Sequence, residues 1–389
     1  MRILILSFYY PPDIGPGSLR AKSLVDALEK ASGKHVEVDV FTTMPNRYHS
    51  LAAMAPEFEQ HGCVSIQRVT LPCHQSGMAD QAKAFLSYAQ KVIKETKGQQ
   101  WDIVFATSSR LMTATLGRLI AKRCNARLYL DIRDLFTDTI GDVLAKSSLK
   151  LLMPFFRLLE RWTFRSADQI NVVSAGFLPY INNISPVHRP TVYTNGIDDE
   201  FVAENFSSTK IHDKPSVLYA GNMGEGQGLH HVIPAVAAAL ERQVQFKLIG
   251  DGGKRKTLQR LIEDQSLSNV QILDPIPRSE LTELYREADL LFLHLNDYKA
   301  FRKVLPSKIF EYAATGKPIL AGVGGYAADF LHEQVPGVVV FEPCDVEAMQ
   351  AGLQRLLGGP RIIDRTEFCS RYLRKNIMHN MANDILALR

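Results

Sequence analysis

The chain has 389 residues, too many for one hydrophobic core, and its 46% apolar content suits a globular protein of two domains. No apolar run approaches the roughly 18 residues that span a bilayer. Five dispersed cysteines (Cys63, Cys73, Cys124, Cys344, Cys369) with no Cys-x-x-Cys pair argue against a disulfide framework or a thiolate zinc site and fit a reducing cytosol.

The predicted elements alternate between strand and helix. Arg2 to Phe8 is an apolar strand that runs into Tyr9-Tyr10-Pro11-Pro12-Asp13, with no small-residue cleavage site, and so does not read as a signal peptide. A helix follows from Ser18 to about Ser32, closed by Gly33. Further strands are expected at Val36–Thr42, Trp101–Ala106, Ala126–Leu130 and Gln169–Val173. The pattern then restarts. Strands at Ser216–Ala220, Val244–Ile249, Val270–Leu273, Leu290–Leu295, Ile319–Gly322 and Val338–Phe341 alternate with helices, the first over about Leu229–Arg242. This order predicts two doubly wound α/β domains with parallel sheets, residues 1–197 and 198–389, divided near Tyr193-Thr194-Asn195-Gly196-Ile197-Asp198. The last helix, about 367–389, is expected to return toward the first domain. Ligands of such sheets bind beyond the carboxyl ends of the strands, so an interdomain cleft is the expected site. Residues 1–195 carry 23 basic and 16 acidic side chains (+7) and the remainder 22 and 25 (−3), which points anionic lipid or phosphate partners to the first half.

The run from Val304 to Pro318 is the most informative stretch. Pro306 and Ser307 open a short helix with Ser307 as N-cap, Gly316 ends it, and Pro318 blocks its continuation. Amides and a positive helix end beside Lys308 suit an anion. Glu311, one turn further in, can accept from two vicinal hydroxyls. Phosphate beside a diol describes a nucleotide-sugar pocket, although an ordinary capped helix accounts for the same residues. Three other loops sit at strand ends: Phe8 to Ser18 with Gly15 and Gly17, Gly221 to Gly228 with four glycines in eight residues, and Gly250-Asp251-Gly252-Gly253.

Taken together, Tyr9-Tyr10-Pro11-Pro12 with Gly15 and Gly17, Asp131-Ile132-Arg133-Asp134-Leu135, Asn195-Gly196-Ile197-Asp198, Tyr219-Ala220-Gly221-Asn222, Gly250-Asp251-Gly252, Ala288-Asp289 and Pro306-Ser307-Lys308 through Pro318 resemble family 4 of the glycosyltransferases. The resemblance covers nearly the whole chain. It implies the GT-B fold of two Rossmann-like domains facing a cleft, and retention at the anomeric carbon. The branch it most resembles transfers N-acetylated amino sugars in bacterial O-antigen or capsule assembly. That implies a UDP-sugar co-substrate, no bound cofactor, and a glycan or polyprenyl-diphosphate-linked acceptor; the cysteines set a cytoplasmic location as the expectation. By position, Glu311 resembles the ribose-binding glutamate. Gly15 and Gly17 match the loop against the donor diphosphate, Arg133 and Asp134 the polar pair near the transferred sugar, and Pro275-Ile276-Pro277 the base-contacting segment. Asp251 and Ser307 fall in donor-side loops, and Lys308 beside the diphosphate.

Two departures stand out. Lys303 replaces a glutamate that many members carry eight residues before the ribose glutamate. Asn222 and Gln227 occupy seats that usually hold an Arg and a Lys. Charge for the leaving diphosphate is then expected from Lys308 or Lys303, with Arg302 and Arg20 as further candidates. No Asp-x-Asp occurs, and of the 11 histidines only His230-His231 form a pair, expected on different helix faces. The expectation is metal-independent chemistry.

Lys146 to Arg165 mixes Lys146, Lys150, Arg157, Arg161 and Arg165 with bulky apolar residues and is expected either to lie on an anionic membrane or to pack as an ordinary basic-edged helix, with Pro154 kinking or splitting it. Nucleic acid is a poor partner, since no recognition signature accompanies the charge. An NAD-dependent dehydrogenase fails the Gly-x-Gly-x-x-Gly spacing. A GT-B-shaped epimerase or a non-catalytic nucleotide-sugar-binding subunit stays open.

Overall fold

The computed structural model describes the chain except residues 14, 33–34, 47–53, 73–77, 109–110, 144–150, 186–188, 208–212 and 389. The expected helix stop at Gly33, the thiol of Cys73 and the start of the basic segment (Lys146, Lys150) fall outside the described residues. The chain forms two compact units, residues 1–195 with 374–389, and residues 196–373.

The first unit is built from β1 (Arg2–Leu6), α1 (Pro16–Ser32), β2 (Glu37–Thr43), β3 (Phe58–His61), β4 (Val64–Val69), α2 (Met78–Glu95), β5 (Ile103–Thr107), α3 (Leu111–Cys124), β6 (Arg127–Ile132), α4 (Phe136–Val143), α5 (Met153–Phe164), β7 (Gln169–Val172), α6 (Leu178–Ile184) and β8 (Thr191–Val192). Among the described residues its sheet runs β3-β4-β2-β1-β5-β6-β7-β8. Every pairing is parallel except β3 with β4. Ile3 and Ile5 of β1 share a core with Val38, Val40, Ile103 and Phe105, covered by Leu24, Val25 and Leu28 of α1. The same core takes Met378, Met381, Ala382 and Ile385 from a helix at residues 374–386, the last of the chain. Pro154 falls at the start of α5, in keeping with the expected split of the segment. It stands in the first turn of α5, where its missing N–H costs nothing.

The second unit contains α7 (Asp199–Ala203), β9 (Ser216–Ala220), α8 (Leu229–Ala239), β10 (Gln245–Ile249), α9 (Arg255–Asp264), β11 (Val270–Leu273), α10 (Arg278–Glu287), β12 (Leu290–His294), α11 (Lys308–Ala314), β13 (Ile319–Gly322), α12 (Tyr326–Gln334), β14 (Val338–Phe341), α13 (Val346–Leu357) and α14 (Thr366–Arg371), before α15 (Arg374–Leu386) rejoins the first unit. Its described strands order as β11-β10-β9-β12-β13-β14, all parallel. The two-residue period divides their side chains between two cores: Val217, Tyr219, Leu290 and Phe292 in one, Leu218, Ala220, Leu291 and Leu293 in the other. Strands buried on both faces explain the unbroken apolar runs. No helix among the described residues is long and apolar enough to cross a membrane.

Candidate functional site

In the second unit the Gly-rich segment after β9 is held as a fixed loop. Gly221 N–H donates to the Ile249 carbonyl (2.9 Å), Met223 N–H to the Asp251 carbonyl (2.8 Å), and Lys254 N–H to the Met223 carbonyl (2.9 Å). Gly250, at φ 140°, is required here. A Cβ on it would stand 1.8 Å from the Gly221 carbonyl oxygen. Asp251 is exposed, and its carboxylate accepts from the Gly252 N–H (2.7 Å).

The far side of the loop is tied to the end of β12. Asn296 N–H donates to the Gly226 carbonyl (2.8 Å), and the Asn296 amide to the Glu225 carbonyl (2.9 Å). His294 lies 2.6 Å from the Gln227 carbonyl through Nδ1 and accepts the Cys344 N–H at Nε2 (3.0 Å). A carbonyl only accepts and an amide only donates, so Nδ1 carries the proton and the ring is neutral. Burial pushes its pKa down to about 4. The sequence reading missed this residue. Its only signal is a polar side chain closing an otherwise apolar strand.

Helix α11 buries Ile309, Phe310, Tyr312 and Ala313 and leaves Lys308 and Glu311 half-buried. Ser307 stands at the expected N-cap position but does not cap in the usual way. Its backbone is already helical, and its side chain makes no capping bond, because a turn from Pro306 (Ile309 N–H to the Pro306 carbonyl, 3.1 Å) opens the helix. Lys308 Nζ donates to Glu311 Oε2 (3.1 Å) and to the Tyr285 hydroxyl (3.3 Å), and that hydroxyl donates to the same Glu311 oxygen (3.3 Å). Tyr285 is fully buried, and burial followed by the Glu311 charge holds its hydroxyl protonated well above the usual range. The sequence gives it no signal beyond core packing. Tyr312 adds a second tie, its hydroxyl accepting the Ala220 N–H at the end of β9 (3.1 Å). Lys308 and Glu311 are thereby fixed relative to the Gly-rich loop.

Asn222 and Gln227, in the seats expected to hold cations, hydrogen-bond each other (2.7 Å), and the Gln227 amide oxygen also accepts the Gly224 N–H. Lys303, half-buried, ends a 3-10 turn over Lys299–Lys303, and Arg302 beside it pairs with Asp297 and Glu342 (both 3.1 Å). Ile276 packs against the core, while Pro277 is exposed before α10.

In the first unit, Gly17 lies in the first turn of α1, and the Arg133 guanidinium rests directly against it. Gly15, just before α1, is buried, and its carbonyl accepts from Leu19 N–H (3.1 Å). Asp134 accepts from the Thr139 hydroxyl (3.0 Å), and burial raises its carboxyl. Arg20, a candidate for the diphosphate, is instead interior. It pairs with both oxygens of Asp131 (2.9 Å each) and donates to the Thr194 and Tyr193 carbonyls. A buried guanidinium needs such partners, and these take four of its five N–H groups. The two histidines also differ from expectation. The rings of His230 and His231 stand 4.0 Å apart and not on separate faces.

The two units are Rossmann-like, and together they define the GT-B class of glycosyltransferase fold. The family model described as Glycosyl transferase 4-like domain matches residues 18–196, and Glycosyl transferases group 1 matches residues 201–375. The chain belongs to these family 4-type glycosyltransferases. It is 27% identical to the colanic acid biosynthesis glycosyl transferase WcaI of Escherichia coli over 304 residues, 73% of this chain and 74% of that one. The crystal structure of Anabaena HepE in complex with UDP-glucose superposes with a TM-score of 0.69 at 17% identity, covering both chains in full. That of WaaG, a glycosyltransferase involved in lipopolysaccharide biosynthesis, gives 0.64 at 14%, covering 98% and 95%.

Proposed function

We propose that the protein is a retaining, metal-independent glycosyltransferase that moves a sugar, an N-acetylated amino sugar in our reading, from a UDP donor to a glycan or polyprenyl-diphosphate-linked acceptor in bacterial surface polysaccharide synthesis. The observation that carries this reading is the Lys308–Glu311–Tyr285 cluster fixed beside the Gly-rich loop. Glu311 is assigned to the ribose hydroxyls, Lys308 and Lys303 to the diphosphate, Ile276 and Pro277 to the base, and Asn222, Gln227, Asp251 and Ser307 to the loop surface around them. In the first unit, Gly15 and Gly17 are assigned to the diphosphate and Arg133 and Asp134 to the transferred sugar. As the anomeric C–O bond breaks, the electron pair leaves with the nucleoside diphosphate, and fixed positive charge lowers that barrier. The acceptor hydroxyl oxygen then bonds to the same face of the anomeric carbon, and its proton passes to the departing diphosphate oxygen. Lysine charge in place of an Asp-x-Asp metal supports the metal-independent part. The UDP complex of HepE and the colanic acid name of WcaI support donor and pathway class; the amino sugar rests on the sequence resemblance alone.

The test is a thermal-shift panel of UDP-, GDP-, dTDP- and CMP-sugars, followed by transfer assays with EDTA and product analysis. A shift with UDP-sugars only, an unchanged rate in EDTA and a product anomer matching the donor are expected. A response confined to another nucleotide, activity lost in EDTA and restored by manganese, or an inverted anomer overturns the corresponding part. Donor turnover without transfer to any acceptor would favour the epimerase reading.

We also assign peripheral membrane contact to residues 151–165, placing the protein at the inner face of the cell membrane. Leu151, Phe155, Leu158 and Trp162 are exposed there, Leu151 at 86%, beside exposed Arg157 and Arg161. Apolar side chains interleaved with arginines suit a bilayer surface better than water.

A further inference from the structure

Among the described residues one group of metal-ligating side chains from different elements converges. Glu225 stands in the 3-10 turn Glu225–Gln227, and His230 and His231 in the first turn of α8. One ligand atom from each lies within 4.8 Å of the other two. We propose that Glu225, His230 and His231 form a binding site for a divalent first-row transition metal of the zinc type at the start of α8.

Three observations carry it. The donor set of two imidazoles and a carboxylate is one that zinc takes in sites with an open coordination position, and it is poor for magnesium, which seeks oxygen. Bonds of about 2.0–2.2 Å hold tetrahedral ligands roughly 3.4 Å apart, so small side-chain rotations close the cluster. Secondly, His230 Nδ1 is sealed from solvent and has no hydrogen-bond partner among the described residues. A buried ring nitrogen left so is costly, and an electron-pair acceptor relieves it. Thirdly, the carboxylate is already oriented from behind, as ligating carboxylates are. Glu225 Oε1 accepts from the Tyr298 hydroxyl (2.9 Å) and faces the Asn296 amide (3.4 Å). Its other oxygen pairs with Lys254 Nζ (2.9 Å), whose charge competes with a cation.

None of the three ligands is among the residues assigned to the donor, and the proposal does not rest on the transferase reading. The test is calorimetric titration of zinc and of magnesium into the tag-free full chain after EDTA treatment, with His231→Ala, His230→Ala and Lys254→Met alongside. Expected are a single zinc per chain and no magnesium. Zinc should bind either histidine variant at least about 10- to 100-fold more weakly, the loss that even an outer partner of a metal site carries. It should bind Lys254→Met more tightly than wild type. The exposed His231 can be truncated without touching the core, and Lys254→Met reads the site should a histidine variant fail to fold. No zinc uptake by the wild type, equal uptake by His231→Ala, magnesium matching zinc, or weaker zinc binding in Lys254→Met would each overturn the proposal.

Discussion

The Arg133 guanidinium occupies the space that a side chain on Gly17 would need: a Cβ there would stand 2.0 Å from Arg133 Nη1 and 3.1 Å from Cζ. Two residues more than a hundred positions apart are thereby coupled. The neighbour that must yield is the far end of a long side chain, so Gly17→Ala moves Arg133 and leaves the fold in place. If Arg133 acts on the transferred sugar, kcat should fall about 100-fold, the order expected for a misplacement of about 1 Å, with little change in Tm. In kcat, Gly17→Ala combined with Arg133→Ala should be no worse than Arg133→Ala alone, while any contact of Gly17 with the diphosphate adds its own loss in donor KM. Full additivity in kcat would dissociate the pair.

Glu311 and the lysines should separate kinetically. A carboxylate bonded to ribose hydroxyls acts in ground and transition state alike. With charged hydrogen bonds worth about 1.5–3 kcal/mol, Glu311→Ala should weaken UDP roughly 10- to 150-fold, read mainly in donor KM. Charge on the departing diphosphate grows during cleavage, so Lys308→Ala or Lys303→Ala should lower kcat more than they raise KM. Wild-type UDP affinity in Glu311→Ala removes the ribose assignment. If neither lysine variant loses kcat, Arg133 becomes the next source of charge.

His294 makes stability depend on pH. Its folded pKa of about 4 lies below the ordinary 6.5, so the unfolded chain binds the proton more readily. The neutral ring's contribution is complete above pH 6.5 and drains as pH falls toward 4, by up to about 3 kcal/mol. Melting curves from pH 7.5 to 5 should therefore flatten in His294→Gln, which starts from a lower Tm. Parallel slopes in variant and wild type would show that the ring does not sense the proton.

Membrane contact should be salt-sensitive. Each arginine near an anionic surface adds about 1 kcal/mol. Sedimentation with phosphatidylglycerol vesicles should therefore weaken as salt rises, and Arg157→Glu with Arg161→Glu should abolish it. Phe155→Ser with Leu158→Ser tests the apolar half. Binding indifferent to salt and to both pairs would leave α5 an ordinary surface helix.

Much of the fold was legible because buried parallel strands advertise themselves. Ile319–Gly322 and Val338–Phe341 are delimited by glycine, proline and a run of apolar side chains. Strand β3 was not, because Phe58 to His61 is largely exposed and lacks an apolar face. Lys308 and Glu311 share a helix face by spacing alone, but the Tyr285 hydroxyl reaches them through tertiary packing. Arg20 and Arg133 look alike in sequence. Only the placement of Asp131 on β6 decides that one is buried in an ion pair and the other rests on Gly17. Adjacent helical residues point about 100° apart, yet side-chain rotation brings the His230 and His231 rings together.

The first unit's core is closed by Met378, Met381, Ala382 and Ile385, residues made after the whole second unit. Domains ordinarily fold in the order in which they emerge from the ribosome. Here part of the first unit's core, the side of α1 that meets α15, is supplied only after the second unit has been made. A released chain that ends at residue 373 should thus keep the whole second unit and a first unit whose core lacks these four side chains, and the first unit should be cut first in limited proteolysis.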